Sequence, residues 1–254
     1  MLINGLSLFE LSVERNGSLV DSTLIVGNED NIALACSSIE KLGVQANFIV
    51  ESIAKNTAPA LAFAAFFLDA EDIMFVSPCD HVIEDGEDVY ATKVREAIRL
   101  AEEGNVVTFG ISPTRPDTGF GYIEHEGNDV ISFHEKPNKL KAHEFIKKGR
   151  FLWNSGMFCF KAGIFLEELK KYRADIYEAC ALAYAKSCKE EVRMLMNEEF
   201  SALIPEESID YAVMEKSAKI KTVPSKFFWS DLGSFESLYD FLLRKKKTLM
   251  KMEI

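Results

Sequence analysis

Several things are missing from this 254-residue chain, and each absence excludes a class of protein. No apolar run approaches the roughly 18 residues of a membrane-spanning helix, so no membrane span is expected. Nothing at the N-terminus joins a basic patch to a long apolar region, as a signal peptide would. Basic residues are in short supply: 29 Lys and Arg face 40 Asp and Glu, giving a net charge of −11. That balance argues against a nucleic-acid binder, which would carry a basic face. It leaves room for small anionic ligands, which a few placed lysines, backbone amides and a divalent cation can hold. The five cysteines (Cys36, Cys79, Cys159, Cys180 and Cys188) are scattered, odd in number and include no C-x-x-C pair. A disulfide framework or zinc site is not expected, and reduced thiols in the cytoplasm are. There is no internal repeat, no low-complexity segment and no His-centred catalytic dyad.

What is present is an alternation of strands and helices. Ser7 to Asn16 reads as an amphipathic helix with Ser7 as N-cap and Glu10 three residues on. Thr23 to Val26 reads as a strand, Asp30 to Leu42 as a helix stopped by Gly43, and Ala46 to Val50 as a strand. Pro59 falls in the first turn of the next helix. The stretch IMFVSPCDH (Ile73 to His81) suits a strand buried on both faces of a parallel sheet, ended by Pro78, with Asp80 projecting from its carboxyl end. A cap or turn would account for Asp80 equally well. A helix (Val89 to Glu103) and a strand (Val106 to Ile111) follow. The rhythm predicts βαβ units: an α/β fold with a Rossmann-like, mostly parallel sheet flanked by helices. Tyr122 to His125 and Val130 to His134 read as a small antiparallel insertion. Helices are expected over Leu140 to Lys148, most of Gly163 to Phe200, Ser208 to Lys216 and Phe235 to Lys247. The basic end KKKTLMKMEI reads as a solvated helix end.

Polar residues punctuate these elements in short motifs. KNTAPA (Lys55 to Ala60) sets Asn56 and Thr57 at a helix start, where free amides favour an anion or polar ligand, although capping alone explains Thr57. GFGYIE (Gly119 to Glu124) brackets Phe120 with glycines, which permit close backbone approach or a plain turn. FHEKP puts Glu135 beside Lys136; a carboxylate can accept sugar hydroxyls while an ammonium neutralises phosphate, and an exposed ion pair is the simpler reading. WNSGMF embeds Asn154 and Ser155 among aromatics, as in a lined pocket. WSDLGSF offers Asp231 after an apolar lead. Asp80 and Asp231, leaving adjacent strand ends, could share one hard divalent cation.

In this order, KNTAPA, PCDH, TGFGYIE, FHEKP, RFLWNSGMF, SIDYAVMEKS and WSDLGSF closely resemble the catalytic core of the bacterial-type mannose-1-phosphate guanylyltransferases (GDP-mannose pyrophosphorylases). The resemblance runs from about Ser7 to about Leu238. It implies the nucleotide-diphospho-sugar transferase fold, a single nucleotidyltransferase core domain over 1–254, and formation of GDP-mannose and pyrophosphate from mannose 1-phosphate and GTP. By the same resemblance, Asp80 and Asp231 would hold Mg²⁺ or another divalent cation. Glu135 and Asn154 would bind mannose hydroxyls, with Gly121 allowing the sugar to approach the backbone, and Lys136 would contact the sugar phosphate. Asn56 and Thr57 would help seat the nucleoside, and Asp210 would lie near the phosphate end or support it. Trp153, Trp229 and Met214 are expected to pack, and His81, His125 and His134 to be structural. No nucleic-acid or membrane partner is expected, and a homodimer is allowed.

The sequence departs from the family's pattern at its start. The family opens with a strand and a Gly-rich loop carrying Arg and Lys, whereas here Asn4-Gly5 follows Met1-Leu2-Ile3 directly. An omitted disordered segment after Ile3, a shortened gene and a degenerate, non-catalytic relative all fit, and the first is preferred because an unliganded phosphate loop is readily disordered. Ser52 stands where a proline is common, and Cys79 where a smaller residue is usual. With no β-rich extension or cupin-like domain after the last helix, no isomerase activity is expected. The functional alternatives are a non-catalytic sugar-nucleotide-binding or regulatory subunit, or a pyrophosphorylase of different sugar or base specificity.

Overall fold

The computed structural model describes residues 2–3, 5–84, 88–233, 237–239 and 241–244. It opens with a tight antiparallel pair, β1 (Leu2–Ile3) and β2 (Leu6–Ser7). Ser7 then caps α1 (Leu8–Gly17) through a complete capping box. The Ser7 hydroxyl accepts from the Glu10 N–H at 3.1 Å, and the Glu10 carboxylate accepts from the Ser7 N–H at 2.6 Å. Next come β3 (Leu24–Asn28), α2 (Glu29–Leu42), β4 (Asn47–Glu51) and α3 (Thr57–Phe67). Asn28 caps α2, and Gly43 closes it in the left-handed region, the stop that the sequence predicts. The chain continues through β5 (Ile73–Val76), β6 (Val82–Glu84), α4 (Val89–Glu102), β7 (Val106–Ile111), β8 (Tyr122–Glu126) and β9 (Asp129–His134). Then follow α5 (Lys139–Lys148), β10 (Phe151–Lys161), α6 (Ala162–Tyr172) and α7 (Ala174–Ala185). The last elements are β11 (Cys188–Glu190), β12 (Arg193–Leu195), α8 (Glu198–Ala202), a π-helical turn at Asp210–Met214, β13 (Ile220–Ser225) and β14 (Phe228–Ser230). Residues 237–239 and 241–244 are helical; the rest of the expected terminal helix, the basic end, and residues 85–87 of the acidic loop before α4 lie outside the described residues.

The α/β architecture expected from the alternating pattern is present, but its strands gather into two main sheets of mixed direction rather than one mostly parallel sheet, because β10 and the β8–β9 hairpin pair antiparallel. Four strands run in the order β11-β12-β4-β3, with β3, β4 and β12 mutually parallel. Six run in the order β5-β10-β7-β13-β9-β8, with β7 and β13 parallel and β10 antiparallel to both β5 and β7. The expected insertion is the β8–β9 hairpin at one edge of the larger sheet. Helices cover both faces. One core packs α3, α6 and α7 against Ile49, Met74, Phe158 and Phe160; another packs α4 and α5 against Val107, Phe109, Trp153 and Cys159. β10 alternates between these cores, so its eleven residues are almost all buried without breaking period two.

Two further expectations change. β5 is indeed apolar towards both faces, since Met74 and Val76 join one core while Ile73 and Phe75 join the other. However, among the described residues it is an edge strand, paired antiparallel with β10 alone. Covering helices, rather than a second strand, account for its apolar run. The stretch 188–195, expected to be helical, is the β11–β12 hairpin, turned by Glu191 at φ 46°. Its short charged strands carry no visible alternation; the pairing of β12 with distant β4 fixes them.

Candidate active site

The site is organised by a break in β10. Its register against β7 shifts between Asn154 and Phe158, which marks a bulge, and Gly156 within it sits at φ 72°. A bulge re-aims side chains next to it. The backbone N–H of Asn154 donates to Gly121 O at 2.8 Å, which locks the bulge to the GFGY loop. The Asn154 amide then reaches two other elements: Nδ2 donates to Asp210 Oδ1 at 2.8 Å, and Oδ1 accepts from the Thr108 hydroxyl at 2.8 Å.

Glu135 closes the same cluster. Its side chain is 7% exposed, and its Oε2 is buried with no hydrogen-bond partner. A Cβ built on Gly121 would lie 2.5 Å from that oxygen and 3.3 Å from Asn154 Cβ, so any larger residue would displace the Glu135 carboxylate. Burial, reinforced by the Asp210 charge, pushes the Glu135 carboxyl up to about 7 against the opposing pull of Lys136. Burial likewise raises Asp210. Lys136 takes the left-handed backbone (φ 42°) just before Pro137, and its ammonium lies 3.4 Å from Glu135 Oε1. The Glu135 backbone N–H donates to Glu215 Oε1 at 3.0 Å. Asp210 and Glu215 begin and follow the π-helical turn, so one turn holds both Asn154 and Glu135. Four residues singled out from sequence, Gly121, Glu135, Asn154 and Asp210, thus meet in one place with Lys136 at its edge.

The second cluster lies at Asp80 and Asp231. β14 pairs antiparallel with β6, with Ser230 opposite Val82, so the chain leaving β14 passes the segment that enters β6. Both carboxylates act on the His81 imidazole between them. Asp80 Oδ1 is 3.6 Å from His81 Nε2, and Trp229 Nε1 donates to His81 Nδ1 at 3.2 Å. Burial is the largest influence on His81 and lowers its pKa. Asp80 is open to solvent at 75% side-chain exposure, and Asp231 Oδ1 accepts from Gly233 N–H at 3.1 Å. The clusters meet at the bulge, where a Cβ on Gly156 would touch Pro78 and His81 at 3.6 and 3.8 Å.

Asn56 and Thr57 flank the site. Asn56, at φ 74°, accepts from Thr57 N–H through its own Oδ1, while the Thr57 hydroxyl accepts from Ile209 N–H at 2.9 Å. Thr57 therefore anchors the segment carrying Asp210. Sequence reading passed over several residues here. Glu51 ends β4 just ahead of this loop; its Oε1 is buried without a partner, and burial pushes its carboxyl up to about 7. A charged residue closing an apolar strand was its only signal. Arg115, Lys226 and Arg244 line a cleft of about 440 Å³ with Asp231, Phe120, Trp153 and Trp229. Thr108 was hidden inside the apolar run VVTFGI.

Residues 3–247 match the family described as Nucleotidyl transferase. The chain belongs to the nucleotidyl transferase family. Among the relatives of this nucleotidyl transferase, the mannose-1-phosphate guanylyltransferase of Escherichia coli K12 is 40% identical over 241 residues, covering 89% of this chain and 50% of the relative. A crystal structure described as mannose-6-phosphate isomerase from Helicobacter pylori superposes with a TM-score of 0.87 at 44% identity, covering 90% of this chain and 93% of that one. One described as mannose-1-phosphate geranyltransferase from Thermus thermophilus gives 0.78 at 32% identity, covering 93% and 69%. The nucleotidyl transferase chain spans about half the length of the curated relatives it matches.

Proposed function

We propose that this chain forms GDP-mannose and pyrophosphate from mannose 1-phosphate and GTP, as one core domain working in the cytoplasm. The observation that carries this reading is the juxtaposition of the two clusters across the Gly156 bulge: a buried donor–acceptor set suited to hydroxyls, and an exposed Asp80 with a half-buried Asp231 about His81, carboxylates suited to a cation. The guanylyltransferase name of its E. coli relative agrees with it.

The chemistry asks little of the protein in proton transfer. A sugar phosphate has a second pKa of about 6, so its oxygen is largely dianionic at neutral pH and attacks without a general base. In-line attack on the α-phosphate of GTP forms the new P–O bond as the bond to the leaving pyrophosphate breaks. Positioning and charge neutralisation then supply the acceleration. Glu135 accepts from a sugar hydroxyl, Asn154 donates to one, and the bare Gly121 lets the ring approach. Asp210 supports Asn154, and Lys136 neutralises the sugar phosphate. Asn56 and Thr57 shape the nucleoside end. Arg115, Lys226 and Arg244 supply positive charge beside Asp231 for the pyrophosphate.

Asp80 and Asp231 offer the hard oxygen ligands that Mg²⁺ or another divalent cation takes. Among the described residues no group of three or more His, Cys, Asp and Glu is arranged to hold a metal, so phosphates and water would complete the shell. A cation bound there supplies charge stabilisation at the phosphates.

A pyrophosphate-release assay with GTP and mannose 1-phosphate, set beside ATP and glucose 1-phosphate, tests the proposal. Turnover confined to the first pair is expected. GDP-mannose binding without turnover would replace this reading with that of a sugar-nucleotide-binding subunit.

A further inference from the structure

The polarity of the Asn154 amide is not free, and one of the groups that set it is buried in β7. An amide oxygen has two acceptor sites and an amide nitrogen two protons. Asn154 Oδ1 accepts from the Thr108 hydroxyl at 2.8 Å and from the Gly156 N–H at 3.3 Å, which uses both sites. Nδ2 commits one proton to Asp210 Oδ1 at 2.8 Å and keeps one. Turning the amide over would set its nitrogen against the Gly156 N–H and its oxygen against the Asp210 carboxyl group. Thr108 is fully buried, and its other acceptor, Met157 O at 3.3 Å, is the poorer one.

We infer that Thr108 is a positioning residue which holds Asn154 as a hydrogen-bond donor towards the ligand. Glu135, with its unpartnered Oε2, is then the matching acceptor. A hydroxyl lying between them donates to Glu135 and accepts from Asn154, so the site reads hydroxyl direction as well as position. This rests on the sugar-binding reading of the cluster and adds to it a residue that touches no substrate.

Two variants test it. Thr108→Val keeps the shape and removes the hydroxyl; Thr108→Ser keeps the hydroxyl. The first readout needs no ligand: the Asn154 side-chain amide signals in ¹⁵N-asparagine-labelled protein, assigned by their loss in Asn154→Ala. Wild type and Thr108→Ser are expected to show the same pair of protected protons, and Thr108→Val a shifted pair exchanging about tenfold faster. The second readout is kinetic. Thr108→Val is expected to raise KM for mannose 1-phosphate about tenfold, with KM for GTP unchanged and kcat within about twofold, and Thr108→Ser to restore the wild-type value. Amide signals in Thr108→Val identical to wild type would overturn the inference, as would a parallel loss for both substrates. If the amide behaves as expected while wild type neither binds nor turns over mannose 1-phosphate, the positioning role stands and the sugar reading falls.

Discussion

The two acidic clusters are built on opposite physical terms. Glu135 is 7% exposed, and Asn154 beside it is tied to Thr108 and Asp210 before any ligand arrives. The Asp80 side chain is 75% exposed, with the His81 imidazole beside it. Desolvation raises the carboxyls of Glu135 and Asp210, which a hydroxyl or ammonium partner would relieve. The Asp80 carboxylate lies open to solvent. Under the proposed function, one cluster would select by fixed shape and hydrogen-bond direction, the other by charge. Changes in the first should disturb stability and sugar affinity together, and changes in the second should affect turnover alone.

The largest expected effect breaks the pair of Asp80 and Asp231. Asp231→Asn should lower pyrophosphate release by about 10²-fold or more while leaving the circular-dichroism spectrum and melting temperature unchanged. Full activity would refute its role at the phosphates. Gly121→Ala probes the closed cluster by setting a methyl 2.5 Å from Glu135 Oε2. Overpacking of that kind costs about 1–3 kcal/mol, so a lower melting temperature and a KM for mannose 1-phosphate raised about tenfold or more are expected. A variant with wild-type values would show the cluster to be loose.

Glu51→Gln sharpens the contrast through pH. The folded Glu51 carboxyl stands at about 7 against an ordinary 4.5. Between those values the folded chain holds a proton that the unfolded chain has released, so the associated stability is present below about 4.5 and lost as pH rises through 7. The melting-temperature advantage of Glu51→Gln over wild type should therefore grow from pH 5 to pH 8, by the equivalent of on the order of 2 kcal/mol. A pH-independent difference would remove the burial argument. The smallest effect serves as the remote control. Ser7→Ala removes the capping box of α1 and should cost about 1 kcal/mol by denaturant unfolding, with specific activity per folded molecule unchanged.

Legibility in the sequence followed the range of the interactions. The capping box at Ser7, the Gly43 stop and the β8–β9 hairpin depend on residues within a turn or two, and all were readable. The site motifs were readable as residue types because a lone Asp, Glu or Asn beside glycine and aromatics is chemically conspicuous. Their assembly was not. The NSG bulge in β10 exists only against β7, the π-helical turn resembles an ordinary helix start, and the β11–β12 hairpin is fixed by β4. Thr108 and Glu51 escaped because their significance is a missing or a distant partner, which no local pattern reports. β5 shows the same limit from the other side: its apolar run revealed that both faces were covered, and nothing in it could say that a single strand lay beside it.

The π-helical turn has a consequence for how the site comes into being. Its partners lie far away along the chain: Asp210 binds Asn154 across 56 residues and Glu215 binds Glu135 across 80. Each contact closes a long loop, with its entropy repaid only when the surrounding strands are in place. The hydroxyl-reading cluster should therefore be among the last features to assemble during folding. An opening of that one turn would break the Asp210 and Glu215 contacts together, so under the proposed function sugar recognition should weaken as a unit, ahead of the sheets that carry it.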